Sequence, residues 1–252
     1  MKPGRRVTST SPSAVRGDTS VAGGNVFDWG VVPPEEAFFK EANLYLNVVP
    51  QTGKEALAFW KSSRAAIVMG KGRKAEEDVN TGLAEADGVP IYVRPSGGGT
   101  VFLPGARDET GRVLCVTKVL PVKGSDLKSH PIRQLFRTGL KIVVDALKSM
   151  GMAADFMGIS DIAVEGKKIA GCAQARKRNA VLVHASVLVS APVDEIERYL
   201  RHPKDEPDYR GGRNHAEFLT DVVSETGLSE EKAEAELVER IKMLSLADNP
   251  ER

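Results

Sequence analysis

Asp161-Ile162-Ala163-Val164-Glu165-Gly166-Lys167-Lys168-Ile169-Ala170-Gly171-Cys172-Ala173 is followed, after Lys177-Arg178-Asn179, by Ala180-Val181-Leu182-Val183-His184-Ala185-Ser186-Val187-Leu188-Val189. The apolar runs Ile162–Val164, Ile169–Ala173 and Val181–Val189 read as a strand meander. Glu165-Gly166-Lys167 and Lys177-Arg178-Asn179 supply its turns. Further β-type runs stand upstream at Ala66–Met69, Pro90–Arg94 and Arg112–Leu120. Between them and the meander lies the clearest helix, Pro131 to Met150. Ile132, Leu135, Phe136, Leu140, Val143, Val144 and Leu147 recur there at i+3 and i+4, and Gly151 stops it. Pro33-Pro34-Glu35-Glu36 opens an earlier helix, whose expected core face is Ala37, Phe38, Ala42, Leu44 and Tyr45. Val193–Leu200 and Ser229–Leu244 close the chain as helices, the second with Ser229 as N-cap. Strands run together between helices, which indicates α+β more than alternating βαβ units. Met1 to Gly24 is polar and without periodicity and reads as a flexible tail. Residues 25–252 then read as one domain.

Seventy residues before the meander stands Arg94-Pro95-Ser96-Gly97-Gly98-Gly99-Thr100-Val101-Phe102, between Ile91-Tyr92-Val93 and the run Val113 to Leu120. Glycines let backbone N–H groups approach a ligand and adopt positive φ cheaply. A strand–glycine–strand arrangement with Arg94 and Ser96 at its mouth suits an anion such as a phosphate or carboxylate. A tight turn or bulge between strands is the alternative. The loop matches neither the phosphate-loop nor the dinucleotide pattern.

Composition excludes several classes. Lys plus Arg number 35 against 34 Asp plus Glu, so no global charge argues for nucleic acid or a membrane surface. Apolar content of 41% and charged content of 27% are ordinary for a soluble globular protein. Cys115 and Cys172 are the only cysteines, which suits a reducing cytosol more than a disulfide framework. No apolar run is long enough to span a bilayer, and the N-terminus lacks a secretory h-region, so a cytoplasmic location is expected.

Taken together, the two segments resemble the lipoate-protein ligase A family, within the biotin and lipoyl ligase superfamily. That family's loop reads approximately R-R-x-S-G-G-G-x-V followed by an aromatic and a histidine. Its second signature is an N-D pair, then K, an aliphatic residue, any residue and G, then a strand carrying histidine. Trp60…Ile67-Val68-Met69-Gly70 and Pro207-Asp208-Tyr209-Arg210…Arg213-Asn214-His215 resemble two further family elements, so the likeness runs from about Pro34 to about Leu219. It implies a class II synthetase-like catalytic core, a mixed β-sheet flanked by helices. It also implies an enzyme that uses ATP and Mg²⁺ to convert lipoate, or octanoate, into an acyl-adenylate. The acyl group then passes to a lysine of an acceptor lipoyl domain. By residue-for-residue match, Arg94 contacts the nucleotide, and Ser96, Gly97, Gly98, Gly99, Thr100, Val101 and Phe102 form the loop that cradles ATP. Lys168 touches both the acyl carboxylate and the phosphate, Asp161 handles nucleotide or magnesium, and His184 faces the pocket. No protein metal cage is implied.

The match has departures. Val93 stands where the family has its first loop arginine, Leu103-Pro104 replaces a common His-Asp, and Ser160 replaces the asparagine before Asp161. The accessory C-terminal domain of some ligases has no counterpart before Arg252, which implies an accessory subunit of the kind some relatives use. Two other readings stay open: a cysteine-dependent octanoyl or lipoyl acyltransferase using Cys172 near Lys168, and a non-catalytic relative that keeps the pocket. The run Arg176-Lys177-Arg178, taken as close to the pocket, is the expected docking point for an acidic acceptor domain.

Overall fold

The computed structural model describes residues 20–21, 25–123, 131–177, 179–203 and 206–247. Most of the expected tail, and Arg178 of the basic run, lie outside these. Ser20 and Val21, inside the stretch read as a tail, form a short strand β1 paired antiparallel with Val26 and Phe27.

The strands are β1 (Ser20–Val21), β2 (Val26–Val32), β3 (Ala56–Ser62), β4 (Ala66–Met69), β5 (Ile91–Val93), β6 (Val101–Leu103), β7 (Arg112–Pro121), β8 (Ala154–Met157), β9 (Asp161–Val164), β10 (Lys167–Lys177) and β11 (Ala180–Ser190). The helices are α1 (Pro34–Asn43), α2 (Val49–Thr52), α3 (Ala75–Asp78), α4 (Thr81–Ala86), α5 (Ile132–Ser149), α6 (Val193–Tyr199), α7 (His215–Phe218), α8 (Val222–Thr226) and α9 (Glu230–Ala247). Eight strands form one sheet in the order β1-β2-β3-β7-β11-β10-β9-β8, and three form a second in the order β5-β4-β6. Pairing in the large sheet is antiparallel except between β2 and β3, so the sheet is mixed, as the resemblance implied. The meander is β9-β10-β11.

Two-residue alternation along the strands gives the large sheet two different faces. Leu57 and Phe59 of β3, Leu114 and Val116 of β7, and Val183 and Val187 of β11 join one core with Leu140, Val143 and Leu147 of α5 and Leu237 and Ile241 of α9. Burying each such leucine or isoleucine contributes about 1.5–3 kcal/mol. The opposite residues, Ala58 and Trp60 of β3, Cys115 of β7 and Leu182 and Leu188 of β11, join a second core with Ala37, Leu44 and Tyr45. On α1, Phe38 and Ala42 are only half-buried, while Lys40 and Glu41 are buried beside Ala37. The core face of this helix is therefore rotated from the expected one, and it delivers a carboxylate into the interior.

The strand that follows the glycine loop is β6, not the later run beginning at Val113. β5 and β6 do not pair with each other. Both flank β4 in the small sheet, which leaves the loop between them free to cross toward β10. Among the described residues no helix is long and apolar enough to cross a membrane.

Candidate active site

One row of Cα partners crosses the large sheet: Asp161 opposite Gly171, Gly171 opposite Ser186, Ser186 opposite Cys115, and Cys115 opposite Trp60. Paired residues share a face, so the row lays a line of side chains about 19 Å long over the sheet, at ~4.8 Å per strand. A narrow cavity of about 80 Å³ lies along it and touches all five residues. At the Asp161 end it meets a wide cleft of about 650 Å³. Lys168, Asp161, Gly99 and Thr100 line both spaces.

Lys168 sits where strand register breaks, between Lys168 and Ala170. Its carbonyl accepts the Thr220 N–H at 3.0 Å, so the lysine backbone is pinned from the far side and is not a loose hairpin edge. Gly171 has no side chain, and the Lys168 chain folds over it: a Cβ there would meet Lys168 Cε and Nζ at 3.2 Å. Lys168 Nζ lies 2.8 Å from Asp161 Oδ1, and the Tyr209 hydroxyl donates to Asp161 Oδ2 at 2.9 Å. Asp161 is buried, and burial together with this carboxylate pushes the Tyr209 phenol upward. The Pro207–His215 element thus reaches the site by holding Asp161.

The glycine loop is built on Arg94. Its guanidinium donates to Ser96 Oγ (3.0 Å), Val68 O (3.0 Å), Gly97 O (2.9 Å) and Gly99 O (2.7 Å). Burial lowers its pKa to about 10, which leaves it charged at neutral pH. Arg94 was expected to present this cation to the nucleotide. These four bonds tie the guanidinium to the loop and to β4, and Arg94 borders the narrow cavity, so it both shapes the loop backbone and faces the site. The loop is tied down by Gly70 N–H to Gly99 O (3.2 Å), Lys71 N–H to Ser96 O (2.8 Å) and Gly97 N–H to Gln174 O (3.1 Å). Gly98 adopts φ +87°, the left-handed region that favours glycine.

Below the loop, Ser96 Oγ lies 2.8 Å from His184 Nε2, and His184 Nδ1 lies 3.6 Å from Glu41 Oε2. Glu41 accepts hydrogen bonds from Trp60 Nε1 (3.2 Å) and Thr117 Oγ1. Burial pushes the Glu41 carboxyl up, but His184 and these donors outweigh it and hold the pKa below the ordinary value. Sequence reasoning found His184 and missed Glu41. The signal was a glutamate on the α1 face that also carries Ala37, four residues earlier.

The remaining loop residues divide between the two spaces. Val101 borders both. Thr100 Oγ1 donates to Asp78, which Arg73 grips through Nε at 2.7 Å and through Nη2. Phe102 is buried, stacks on Tyr199 at 5.4 Å and borders the wide cleft. Arg73, Arg133, Arg201 and Arg210 line the cleft with Lys168, beside the carboxylates of Asp78, Asp161, Glu206 and Asp208. His215 also lines it, and burial with the Arg210 charge lowers its pKa to about 4, so it is neutral at pH 7. Sequence reasoning had passed over Arg73 and Arg201, which stand outside the quoted motifs.

The cleft suits a nucleotide triphosphate. Its volume falls in the range of small-molecule sites, and cations and glycine-loop backbone converge on it. Among the described residues no group of three or more His, Cys, Asp or Glu is placed to hold a metal. Mg²⁺ carried by a triphosphate needs only one or two carboxylates beside the phosphates. Asp161 and Asp78 stand on the cleft.

Two sequence expectations change. Arg176 and Lys177 are exposed at the far end of β10. Arg176 is eight residues from Lys168, about 26 Å along an extended strand, so the basic run is not beside the reaction centre. Cys172 falls on the opposite strand face from Gly171 and belongs to the α5/α9 core, although it also borders the narrow cavity. It is buried, and burial followed by the nearby Asp161 carboxylate pushes its thiol far up, which opposes a thiolate nucleophile. Cys172→Ala is expected to keep acyl transfer within about threefold of wild type, with a small loss of stability from the emptied volume. A transfer assay with this variant checks it, and complete loss would restore the cysteine reading.

Comparison with known proteins bears on the family and the fold. Residues 33–242 match the family model described as the lipoyl protein ligase A/B catalytic domain. The "Probable lipoate-protein ligase A" of Mycoplasma pneumoniae is 29% identical over 150 residues, covering 60% of this chain and 41% of that protein. The chain spans about half the length of the curated relatives it matches. Among solved structures, a lipoate-protein ligase A bound with ATP superposes with a TM-score of 0.69 at 21% identity, covering 87% of this chain and 84% of that one. A bi-partite lipoate protein ligase from Thermoplasma acidophilum, described with its E2 lipoyl domain, gives 0.66 at 20% identity, covering 87% and 82%. At those identities the structural likeness shows the fold. The family match covers most of the chain, and this protein belongs to the lipoyl protein ligase A/B catalytic domain family.

Proposed function

We propose that this chain is the catalytic part of an ATP-dependent lipoate–protein ligase. The observation that carries the reading is the position of Lys168, at the junction of a narrow cavity suited to an acyl chain and a wide cleft, lined by both arginines and carboxylates, suited to a nucleotide and its Mg²⁺. A carboxylate oxygen of lipoate, or octanoate, attacks the α-phosphorus of ATP, and pyrophosphate leaves. Negative charge grows on the phosphoryl oxygens, and the Lys168 ammonium, with three donors, can bridge carboxylate and phosphate at once. Asp161 holds that ammonium in place, while Arg73, Arg201 and Arg210 offer guanidinium groups along the cleft for the triphosphate. In the second step an acceptor lysine amine attacks the acyl carbonyl, AMP departs and the amine loses a proton. None of this requires a protein nucleophile.

Two relatives support the wider assignment: one ligase is bound with ATP, and another is bi-partite and described with an E2 lipoyl domain. ATP with Mg²⁺ as co-substrate, an acceptor lipoyl domain, and a second subunit that completes the enzyme follow from the same reading. Two buried free thiols suit a reducing cytosol. The test is transfer of lipoate to an acceptor domain, with and without a candidate second subunit. Transfer should require ATP and release pyrophosphate. Transfer from an acyl thioester without ATP would contradict the reading.

The basic run keeps a smaller role. Neutralising Arg176, Lys177 and Arg178 together should slow transfer to an acidic acceptor by less than about tenfold, and only at low salt, because distant charges steer encounter and leave chemistry alone. Transfer rates from preformed adenylate at two ionic strengths check this. A salt-independent loss, or an equal loss in adenylate formation, would contradict it.

A further inference from the structure

Phe38 borders the narrow cavity beside Trp60 and is also partly exposed to solvent. Around the Trp60 end of the cavity stand Phe38, Glu41, Trp60, Val68 and Leu103. Four of these are buried, and Phe38 alone is half-exposed. Its ring meets Trp60 edge to face, with centroids 6.0 Å apart and planes at 85°. It also meets Tyr92 edge to face, at 6.0 Å and 72°. Tyr92 is in turn held at the surface: its hydroxyl donates to Glu35 Oε2 at 3.0 Å and accepts from Arg64 Nη2 at 2.7 Å, and Arg64 pairs with Glu35. Glu35 and Phe38 lie three residues apart on α1, so the surface cluster and the cavity wall are carried by one helical turn.

We infer that Phe38 is the end-stop that limits the length of the acyl chain this site accepts, with Tyr92 as the residue that positions it. The inference rests on the acyl reading of the narrow cavity and adds what bounds it. With its carboxylate at Lys168, a chain runs along the Gly171, Ser186 and Cys115 row toward Trp60. A longer chain must displace the Phe38 ring, which packs against two aromatic neighbours. Two edge-to-face pairs make that displacement costly. Phe38 also borders both cavity and solvent, so shortening it opens the Trp60 end to the surface, where extra methylenes can extend.

The experiment compares octanoate with dodecanoate in wild type, Phe38→Ala, Phe38→Leu and Tyr92→Ala. The readouts are carboxylate-dependent ATP–pyrophosphate exchange and direct binding by displacement of a fluorescent fatty acid. Melting curves identify folded variants, and Phe38→Leu keeps an apolar wall if the alanine variant does not fold. Wild type should favour octanoate. The dodecanoate-to-octanoate ratio should rise about tenfold or more in Phe38→Ala, within the range that added methylenes command in apolar pockets, and by less in Phe38→Leu and Tyr92→Ala. Octanoate binding by wild type with an unchanged ratio in the folded variants would overturn the end-stop alone. No binding of either acid by any of the proteins would overturn the acyl reading and the end-stop with it.

Discussion

Replacing Lys168 by alanine is expected to lower adenylate formation by roughly a hundred- to a thousandfold, the cost of removing one preorganised charge from a developing oxyanion, about 2.7–4 kcal/mol. Among the cations of the described residues that line these spaces, Lys168 borders both the cavity and the cleft, whereas Arg94 borders only the cavity and Arg73, Arg133, Arg201 and Arg210 border only the cleft. The variant also leaves Asp161 without its cation. Asp161 keeps the Tyr209 hydroxyl and borders the open cleft, and Lys168 is 26% exposed, so the loss of stability should be well below that of a fully buried pair. Pyrophosphate exchange and a melting curve separate the two effects. Exchange within a factor of two of wild type would remove Lys168 from the chemistry.

The second large effect concerns Gly70, a residue that touches no proposed ligand. A Cβ at this position would lie 2.1 Å from Gly98 O and 3.1 Å from Gly97 C. The neighbour is backbone, so it cannot swing aside as a side chain would, and the glycine loop must move as a unit. Gly70→Ala is therefore expected to break the Gly70–Gly99 and Lys71–Ser96 hydrogen bonds and displace the carbonyls that Arg94 collects. Overpacking of this kind costs about 1–3 kcal/mol of stability. The larger consequence should be functional, a loss of ATP-dependent exchange of about a hundredfold, because displacement by an ångström spoils positioning of the nucleotide. Melting temperature and exchange rate measured together check this. Wild-type exchange in a folded Gly70→Ala protein would show that the loop geometry is not needed.

Much of this was legible from residue pattern. The amphipathic period of Ile132–Ser149 and the apolar runs of the meander carried α5 and β9 to β11, because both patterns arise from burial on one face. β2 and β3 were not legible: Ala56-Leu57-Ala58-Phe59-Trp60 is apolar on both faces, as befits a strand buried on both sides, and shows no alternation. The rotated face of α1 was missed for a different reason. Hydrophobic periodicity ranks Glu41 as a surface residue, yet Trp60, Thr117 and His184 supply its partners from β3, β7 and β11, which are distant in sequence. The site divides in the same way. Lys168, Asp161 and the glycines stand in motifs, whereas Arg73, Arg201 and Glu41 reach it only through the fold. Cys172 shows the converse, since proximity to Lys168 in sequence says nothing of strand face, and one residue of register moves its side chain to the other side of the sheet.

The most direct measurement is a crystal structure with a hydrolysis-resistant analogue of lipoyl-adenylate. The acyl chain should lie over Gly171, Ser186 and Cys115 toward Trp60, the nucleotide should fill the cleft bordered by Arg73 and Arg201, and the acyl–phosphate linkage should fall within hydrogen-bonding distance of Lys168 Nζ. An analogue bound with its linkage away from Lys168, or with its acyl chain in the wide cleft, would contradict the assignment of the two spaces.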